Sequence, residues 1–314
     1  MSTNHMIVVV GADGFLGSGL AEALRAQRVV YGPARNGEVH VSQAEEVLKN
    51  ADVIINAGGF RVRPGCTYVD YQRSHQGATS ALVPWVRKGA LFIHISSASV
   101  LGKSKDQKLG SKALPNPQSF PSPAYALAKL EADQFLQKAA AERDFRLIFL
   151  RPAVVYSLKG AGMVDTVLKL AKRGITLRLY PRDARHHFCH MDLLVDVACR
   201  VTEHNHRLAH LSCFVVADPY TVTNRELETM IRQYLAKKSM ALPIPVPMVS
   251  TLLSYAFHSR NPRLDLRTWG EIFGVLHLDT TYDPSETFRL LDIDPSQYSV
   301  DRTLLPLIQK ALQQ

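Results

Sequence analysis

The chain has 314 residues, 46% of them hydrophobic and 21% charged, with 37 Lys and Arg against 28 Asp and Glu and a net charge of +9. That composition is ordinary for a soluble globular protein and excludes disordered, collagen-like and coiled-coil classes. The basic excess favours an anionic partner, but no block of five consecutive basic residues occurs, so a small anionic molecule is expected and a nucleic acid is not.

Apolar runs and helical patterns alternate along the first half. Residues 6–10 read as a strand and 15–26 as a helix. Short strands follow at 29–31 and 39–41, then a brief helix at 44–49 and a strand at 53–56. A helix is expected over 77–88, with Pro84 inside it, then a strand at 91–96, a long helix at 125–142 and a strand at 146–150. Short, fully apolar strands between helices predict a parallel sheet covered on both faces, and right-handed crossovers make it doubly wound. The second half is less regular. Helices are expected at 163–172, ending at Gly174, at 191–202 and at 224–235, with one more strand at 214–216. The fold class is thus α/β, a dinucleotide-type unit over 1–155 to which about 185–217 return, with 156–314 forming mainly a smaller C-terminal substrate-binding part.

Cysteines stand at 66, 189, 199 and 213 without a CxxC pair, which reads as thiols in a reducing, cytoplasmic compartment. The start, MSTNHMIVVVG, has too short an apolar run for a signal peptide, and no stretch reaches the length of an integral membrane helix. Residues 247–257 are apolar on most sides but lack a basic polar face, so burial inside the protein is expected there.

Three segments carry chemistry. The first is Gly11-Ala12-Asp13-Gly14-Phe15-Leu16-Gly17, which closes the first strand and opens the first helix. Gly11 permits the tight turn, Gly14 lets backbone approach a pyrophosphate, and Gly17 lets the helix pack on the strand. The second is the end of the next strand, where an acid would accept from the ribose of NAD and a base would meet the 2′-phosphate of NADP. Residues 29–36 hold no acid and include Arg35, so NADP(H) is favoured over NAD(H). The third is Tyr125-Ala126-Leu127-Ala128-Lys129, which sets a phenol and an ammonium on one helix face. An ammonium nearby lowers a phenol's pKa and makes it a usable acid and base. The strand over 91–96 runs into Ser97-Ala98-Ser99, and a hydroxyl at that strand end is placed to meet the same substrate oxygen. Arg185-His186-His187-Phe188-Cys189-His190 has metal-binding residue types but no second ligand group, so no metal is expected.

These residues resemble the extended short-chain dehydrogenase/reductases, the NAD-dependent epimerase/dehydratase group. Gly11, Gly14, Phe15, Leu16 and Gly17 match its GxxGFLG loop, and residues 52–58, containing Asn56, Ala57 and Gly58, resemble its fourth-strand motif. Residues 96–102 match SSAxVYG with Leu101 where Tyr is usual, Tyr125 and Lys129 match the catalytic pair, and Leu150-Arg151-Pro152 matches LRP. His190-Met191-Asp192-Leu193 is similar to its HVDDL segment. His40 stands where an adenine-binding Asp is usual, and Val154 where sugar-nucleotide members have Asn.

The resemblance implies a Rossmann-type domain and hydride transfer at a secondary alcohol or ketone. It assigns catalysis to Ser97, Tyr125 and Lys129; Tyr125 and Lys129 also touch the cofactor, as do Asn56, Ala57, Gly58, Pro152 and Val154 beside the loop residues and Asp13. A nucleotide sugar is the expected substrate of a keto-sugar reductase or epimerase, with Arg178, Arg182 and Arg185 where such members hold the nucleotide. A 3β-hydroxysteroid-dehydrogenase-like enzyme on a hydrophobic substrate and a non-catalytic dinucleotide-binding regulator stay open. A homodimer is a further implication.

Overall fold

The computed structural model describes residues 5–35, 37–62, 65–103, 108–120, 123–158, 163–235, 239–254 and 277–313. In chain order the first half contains β1 (Ile7–Val10), α1 (Phe15–Ala23), β2 (Gln27–Val30), β3 (Glu38–His40), α2 (Glu45–Asn50) and β4 (Val53–Asn56). Then come α3 (Tyr68–Gln72), α4 (Ala78–Leu82), β5 (Leu91–Ile95), α5 (Ala124–Arg143) and β6 (Arg146–Pro152). The second half adds β7 (Val154–Tyr156), α6 (Met163–Lys172), β8 (Ile175–Tyr180), β9 (Arg185–His190), α7 (Met191–His204) and β10 (Leu211–Val216). It closes with β11 (Thr221–Thr223), α8 (Asn224–Gln233), β12 (Met240–Pro245), α9 (Val246–Ser254), α10 (Ser285–Leu290) and α11 (Leu304–Gln313).

Seven strands form one sheet in the order β10-β6-β5-β4-β1-β2-β3, and every neighbouring pair is parallel. Alternation along each strand divides the core. Val9, Ile55, Ile93 and Leu150 face α1 and α7, packing with Leu20, Leu194 and Val197. Val8, Ile54, Phe92 and Phe149 face α2 and α5, packing with Leu48, Leu136 and Ala140. With both faces covered, the strands need no polar side, which is why they read as unbroken apolar runs. From β1 the chain moves outward through β2 and β3, then returns to β4 on the other flank. The crevice between the carboxyl ends of β1 and β4 is therefore the topological switch point.

The helix expected over 77–88 is divided. A π-helical turn at Arg73–Gly77 links α3 to α4, and a 3-10 turn carries Pro84. Proline lacks the amide that would continue the ladder, so α4 stops before it. Strands β7, β8, β9, β11 and β12 were not expected and form two small sheets, β11-β9-β7 and β12-β8. The expected burial of residues 247–257 is not observed where it can be judged. Met248 is 64% and Leu252 73% exposed, and residues 255–257 lie outside the described residues.

Candidate active site

The glycine loop lies at the switch point. Gly11 has φ +79°, and a Cβ there would stand 2.8 Å from the Cα and N of Gly58. The loop backbone and the end of β4 therefore touch, and side chains are excluded from the contact. Phe15 and Leu16 open α1, whose N-cap Gly14 makes no side-chain hydrogen bond, and no acid lies in its first turn. An uncapped helix end with positive dipole character, reached through glycine backbone, fits a pyrophosphate. The residues at this crevice thus suit a dinucleotide.

The end of β2 is organised differently from expectation. The Asp13 carboxylate accepts from the backbone amides of Tyr31, at 3.3 Å, and Gly32, at 2.9 Å. It ties the loop to the end of β2 and is itself exposed. The Tyr31 ring lies across Gly58, where an added Cβ would meet ring atoms at 2.7–3.1 Å. Burial, and then the Asp13 charge, push the Tyr31 phenol up to about 12. His40 holds the same turn, with Nε2 3.2 Å from the Tyr31 carbonyl. Arg35 is exposed beyond this turn, and its backbone amide donates to Glu38. Arg28, absent from the sequence reading, spans Glu38 at 3.0 Å and the Ala12 carbonyl at 2.6 Å.

Ser97, Tyr125 and Lys129 converge at the end of β5. Helix α5 is built of strong helix formers and begins after Pro123. Its alanines at 126, 128, 132, 139 and 140 are buried, which lets it lie close to the sheet. Tyr125, in its first turn, packs edge-on against Tyr71, at 5.6 Å, and His75, at 5.5 Å between ring centroids. Ser97 caps the short 3-10 turn at Ala98–Leu101, and its Oγ accepts from the Ser99 hydroxyl at 2.8 Å. Burial pushes the Tyr125 phenol up to about 12, against the hydrogen bond from Ser97. Burial also brings the Lys129 ammonium down to about 8, opposed by the Asp133 carboxylate. The depressed phenol expected from the Tyr–Lys spacing is therefore not found. Lys129 Nζ instead donates to the Ile95 carbonyl at 2.9 Å.

The other expected contacts divide. Ala57 and Gly58 border the crevice beside the loop. Asn56 is buried behind them, donating to Thr79 at 3.1 Å and accepting from the Gly58 amide at 3.1 Å, so its side chain shapes the backbone from inside. Pro152 ends β6, and Val154 is 40% exposed on β7. Arg178 pairs with Glu228 at 3.3 Å, Arg182 pairs with Asp279, and Arg185 donates to Thr221 at 3.1 Å. The three arginines thus already have protein partners. Along β9, His186 meets Thr280 and His187 accepts from the Tyr282 amide. Cys189 is buried with its thiol pushed well up, and His190 caps α7. Among the described residues no group of three such side chains could hold a metal.

Sequence reasoning missed a buried polar set behind the site. His75, His94, Asp133 and Arg151 are each no more than 5% exposed. Asp133 accepts from Ser96 at 2.9 Å and from Arg151 at 3.1 Å. Burial drives both imidazoles toward the neutral form, and so does the nearby Lys129 charge. One signal was present: Asp133 follows Lys129 by four residues, as Lys129 follows Tyr125.

Fold and crevice define a Rossmann-type protein of the NAD(P)-binding kind. The chain belongs to the NAD dependent epimerase/dehydratase family, which it matches over residues 7–217. It is similar to the UDP-glucose 4-epimerase of Vibrio cholerae, 24% identical over 265 residues, 76% of this chain and 79% of that protein. In structure it is similar to the UDP-glucuronic acid 4-epimerase from Bacillus cereus in complex with UDP-glucuronic acid and NAD. The TM-score is 0.74 at 17% identity, covering 98% of this chain and 99% of that one. It is also similar to the human epimerase family protein SDR39U1 (isoform 2) with NADPH, with a TM-score of 0.73 at 16% identity over 98% and 99% of the two chains. No described helix is long and apolar enough to cross a membrane.

Proposed function

We propose that the protein is an NAD(P)-dependent keto-sugar reductase or epimerase acting at a secondary alcohol or ketone of a nucleotide sugar. The observation that carries this reading is the convergence of Ser97, Tyr125 and Lys129 at the end of β5, beside the glycine-lined switch point. Similarity to a UDP-glucose 4-epimerase over 76% of the chain supports the substrate class. Residues after about 156 would enclose the sugar nucleotide, and the reading places the protein in the cytoplasm, with a homodimer as the expected assembly.

When bound along the crevice, the nicotinamide supplies the hydride acceptor and donor. Gly14, Phe15, Leu16 and Gly17 would hold its pyrophosphate through amides, and Ala57, Gly58 and Pro152–Val154 would flank it. Ser97 donates to the substrate oxygen and fixes its direction toward Tyr125. Tyr125 donates a proton to that oxygen in reduction and takes one from it in oxidation. With its phenol held near 12, Tyr125 carries at neutral pH the proton it would donate in reduction. Lys129 stabilises the phenolate left behind, because it carries its charge below about 8. NADP(H) is favoured over NAD(H) because residues 29–36 contain no acid of their own and include Arg35, which is exposed there.

A second reading has its own observation. Met240, Leu242, Met248 and Leu252, on β12 and α9, are 41–73% exposed, and a hydrophobic hydroxy or keto substrate of steroid type would suit them.

The test incubates the protein with UDP-, dTDP- or GDP-linked sugars and either cofactor. A reductase consumes NADPH, whereas an epimerase interconverts sugars with no net change in absorbance at the nicotinamide band. Tyr125→Phe is expected to lower turnover by about 10²-fold or more while retaining cofactor binding. Full turnover in that variant would refute the mechanism. Turnover of hydroxysteroids alone would select the second reading. Cofactor binding without turnover of either class would favour a regulator.

A further inference from the structure

The end of β5 and helix α5 are joined residue by residue. Lys129 Nζ donates to the Ile95 carbonyl at 2.9 Å. The next residue, Ser96, donates through Oγ to Asp133 at 2.9 Å. The next, Ser97, meets the Tyr125 phenol. Three consecutive residues at the end of β5 and just beyond it thus engage positions 129, 133 and 125, three successive turns of one helix face. Of these links only the middle one is itself anchored from another strand. Arg151, on β6, reaches the same Asp133 oxygen at 3.1 Å, and His94 Nε2 lies 3.9 Å from the other oxygen.

The charges make the same residue the centre. The groups facing Lys129 are Asp133 on α5, His94 on β5 and His75 in the π-helical turn. Arg151 on β6 reaches this cluster through Asp133, while Tyr125 and Tyr71 close it from the substrate side. Both imidazoles are held neutral by burial; Asp133 pairs with Arg151 at 3.1 Å, and its negative charge also favours the ammonium form of Lys129. All three charged side chains are at least 94% buried. A buried cation without its counter-charge is strongly disfavoured.

We propose that Asp133 is a positioning residue of this site: its carboxylate locks the end of β5 onto α5, so that Ser97 meets Tyr125, and it supplies the negative charge beside the Lys129 ammonium. The catalytic half of this inference rests on the reading under Proposed function. The structural half does not. No contact is assigned between Asp133 and substrate or cofactor.

The test uses the full chain labelled with ¹³Cε-lysine, Lys129 being assigned by Lys129→Arg. In the parent protein Lys129 is expected to titrate near pH 8. Asp133→Asn keeps the shape and an acceptor for Ser96 but removes the charge, so the titration is expected to move down by about one unit or more. In turnover, kcat is expected to fall about tenfold or more with KM nearly unchanged, and Asp133→Glu to recover part of it. If Asp133→Asn does not fold, Asp133→Asn/Arg151→Gln removes both partners of the buried pair and leaves no unpaired guanidinium. The same downward titration is expected there, because Lys129 feels Asp133 directly. An unchanged Lys129 titration in the folded variant overturns the proposal, and so does a shifted titration with parental kcat. The titration needs no substrate. If the parent turns over no nucleotide sugar, the function reading fails, while the shift still decides the role of Asp133.

Discussion

Gly17→Ala, two residues before Gly19→Ala in α1, is expected to be the damaging one of the pair. Both exchanges raise helix propensity by about 1 kcal/mol. At Gly17 the new Cβ would stand 2.0 Å from the Gly11 carbonyl oxygen and 2.6 Å from its carbon. Both are backbone atoms of the tight turn, and ordinary contact begins more than an ångström further out. The helix must therefore back away from the loop, at an overpacking cost of about 3 kcal/mol, for a net loss of about 2 kcal/mol. For a chain of this size that lowers Tm by about 4 °C. At Gly19 the Cβ would meet the Met191 terminal methyl at 2.5 Å, and a flexible methionine end can swing aside. Gly19→Ala is expected to leave Tm within about 2 °C of the parent. The displaced helix also withdraws its amides from the expected pyrophosphate. NADPH at 100 times the parental Kd stabilises by about 2.7 kcal/mol; a hundredfold weaker Kd leaves about 0.4 kcal/mol. Thermal melts with and without NADPH read both effects. Gly17→Ala with parental Tm and a full NADPH shift would show that the close approach of α1 to the loop plays no part in binding.

Arg35→Glu is expected to raise the Kd of NADPH about tenfold or more, as a charge-assisted contact to phosphate becomes repulsion, and to change NADH binding less than twofold; equal losses for both cofactors would remove Arg35 from the 2′-phosphate role. Lys129→Met is expected to abolish turnover yet improve stability near pH 7, where the buried ammonium, displaced from 10.5 to about 8, costs about 3 kcal/mol. Between pH 8 and 10.5 the unfolded chain binds more protons than the folded one, so the parent gains stability as pH rises and the advantage of the variant shrinks. Chemical denaturation at pH 7 and pH 10 measures this, and a pH-independent difference would contradict the burial of charge.

The parts of the fold readable in the sequence are those set by contacts close along the chain. β1, the glycine turn and α1 occur together because glycine, apolar run and helix formers follow one another within about ten residues. The Tyr125–Lys129 face follows from helical spacing alone. Strands β4 and β5 declare themselves because both of their faces are covered. The small sheets gave no such signal. β9 reads RHHFCH, yet four of its residues are buried, with Thr280 and Tyr282, more than ninety residues later, meeting Nδ1 of His186 and of His187. β12 holds two prolines and, among the described residues, pairs with β8 alone, an edge position where a missing amide is tolerated.

The site shows the same division. The residue types and spacing of Ser97, Tyr125 and Lys129 were determined by the sequence. Their ionisation was not. Spacing alone predicted a phenol lowered by its lysine; tertiary burial instead raised the phenol to about 12 and lowered the ammonium to about 8. Asp13 sits in the loop as a candidate ligand contact, and the folded chain adds a second task, holding the Tyr31 and Gly32 amides at the end of β2. Asp133 looks like one more polar residue on a long helix until β5 and β6 bring Ser96 and Arg151 to it. Local pattern sets which groups share a face. Solvent exclusion comes from segments distant in the chain, and it shifts the Tyr125 phenol and the Lys129 ammonium more than their helix neighbours do.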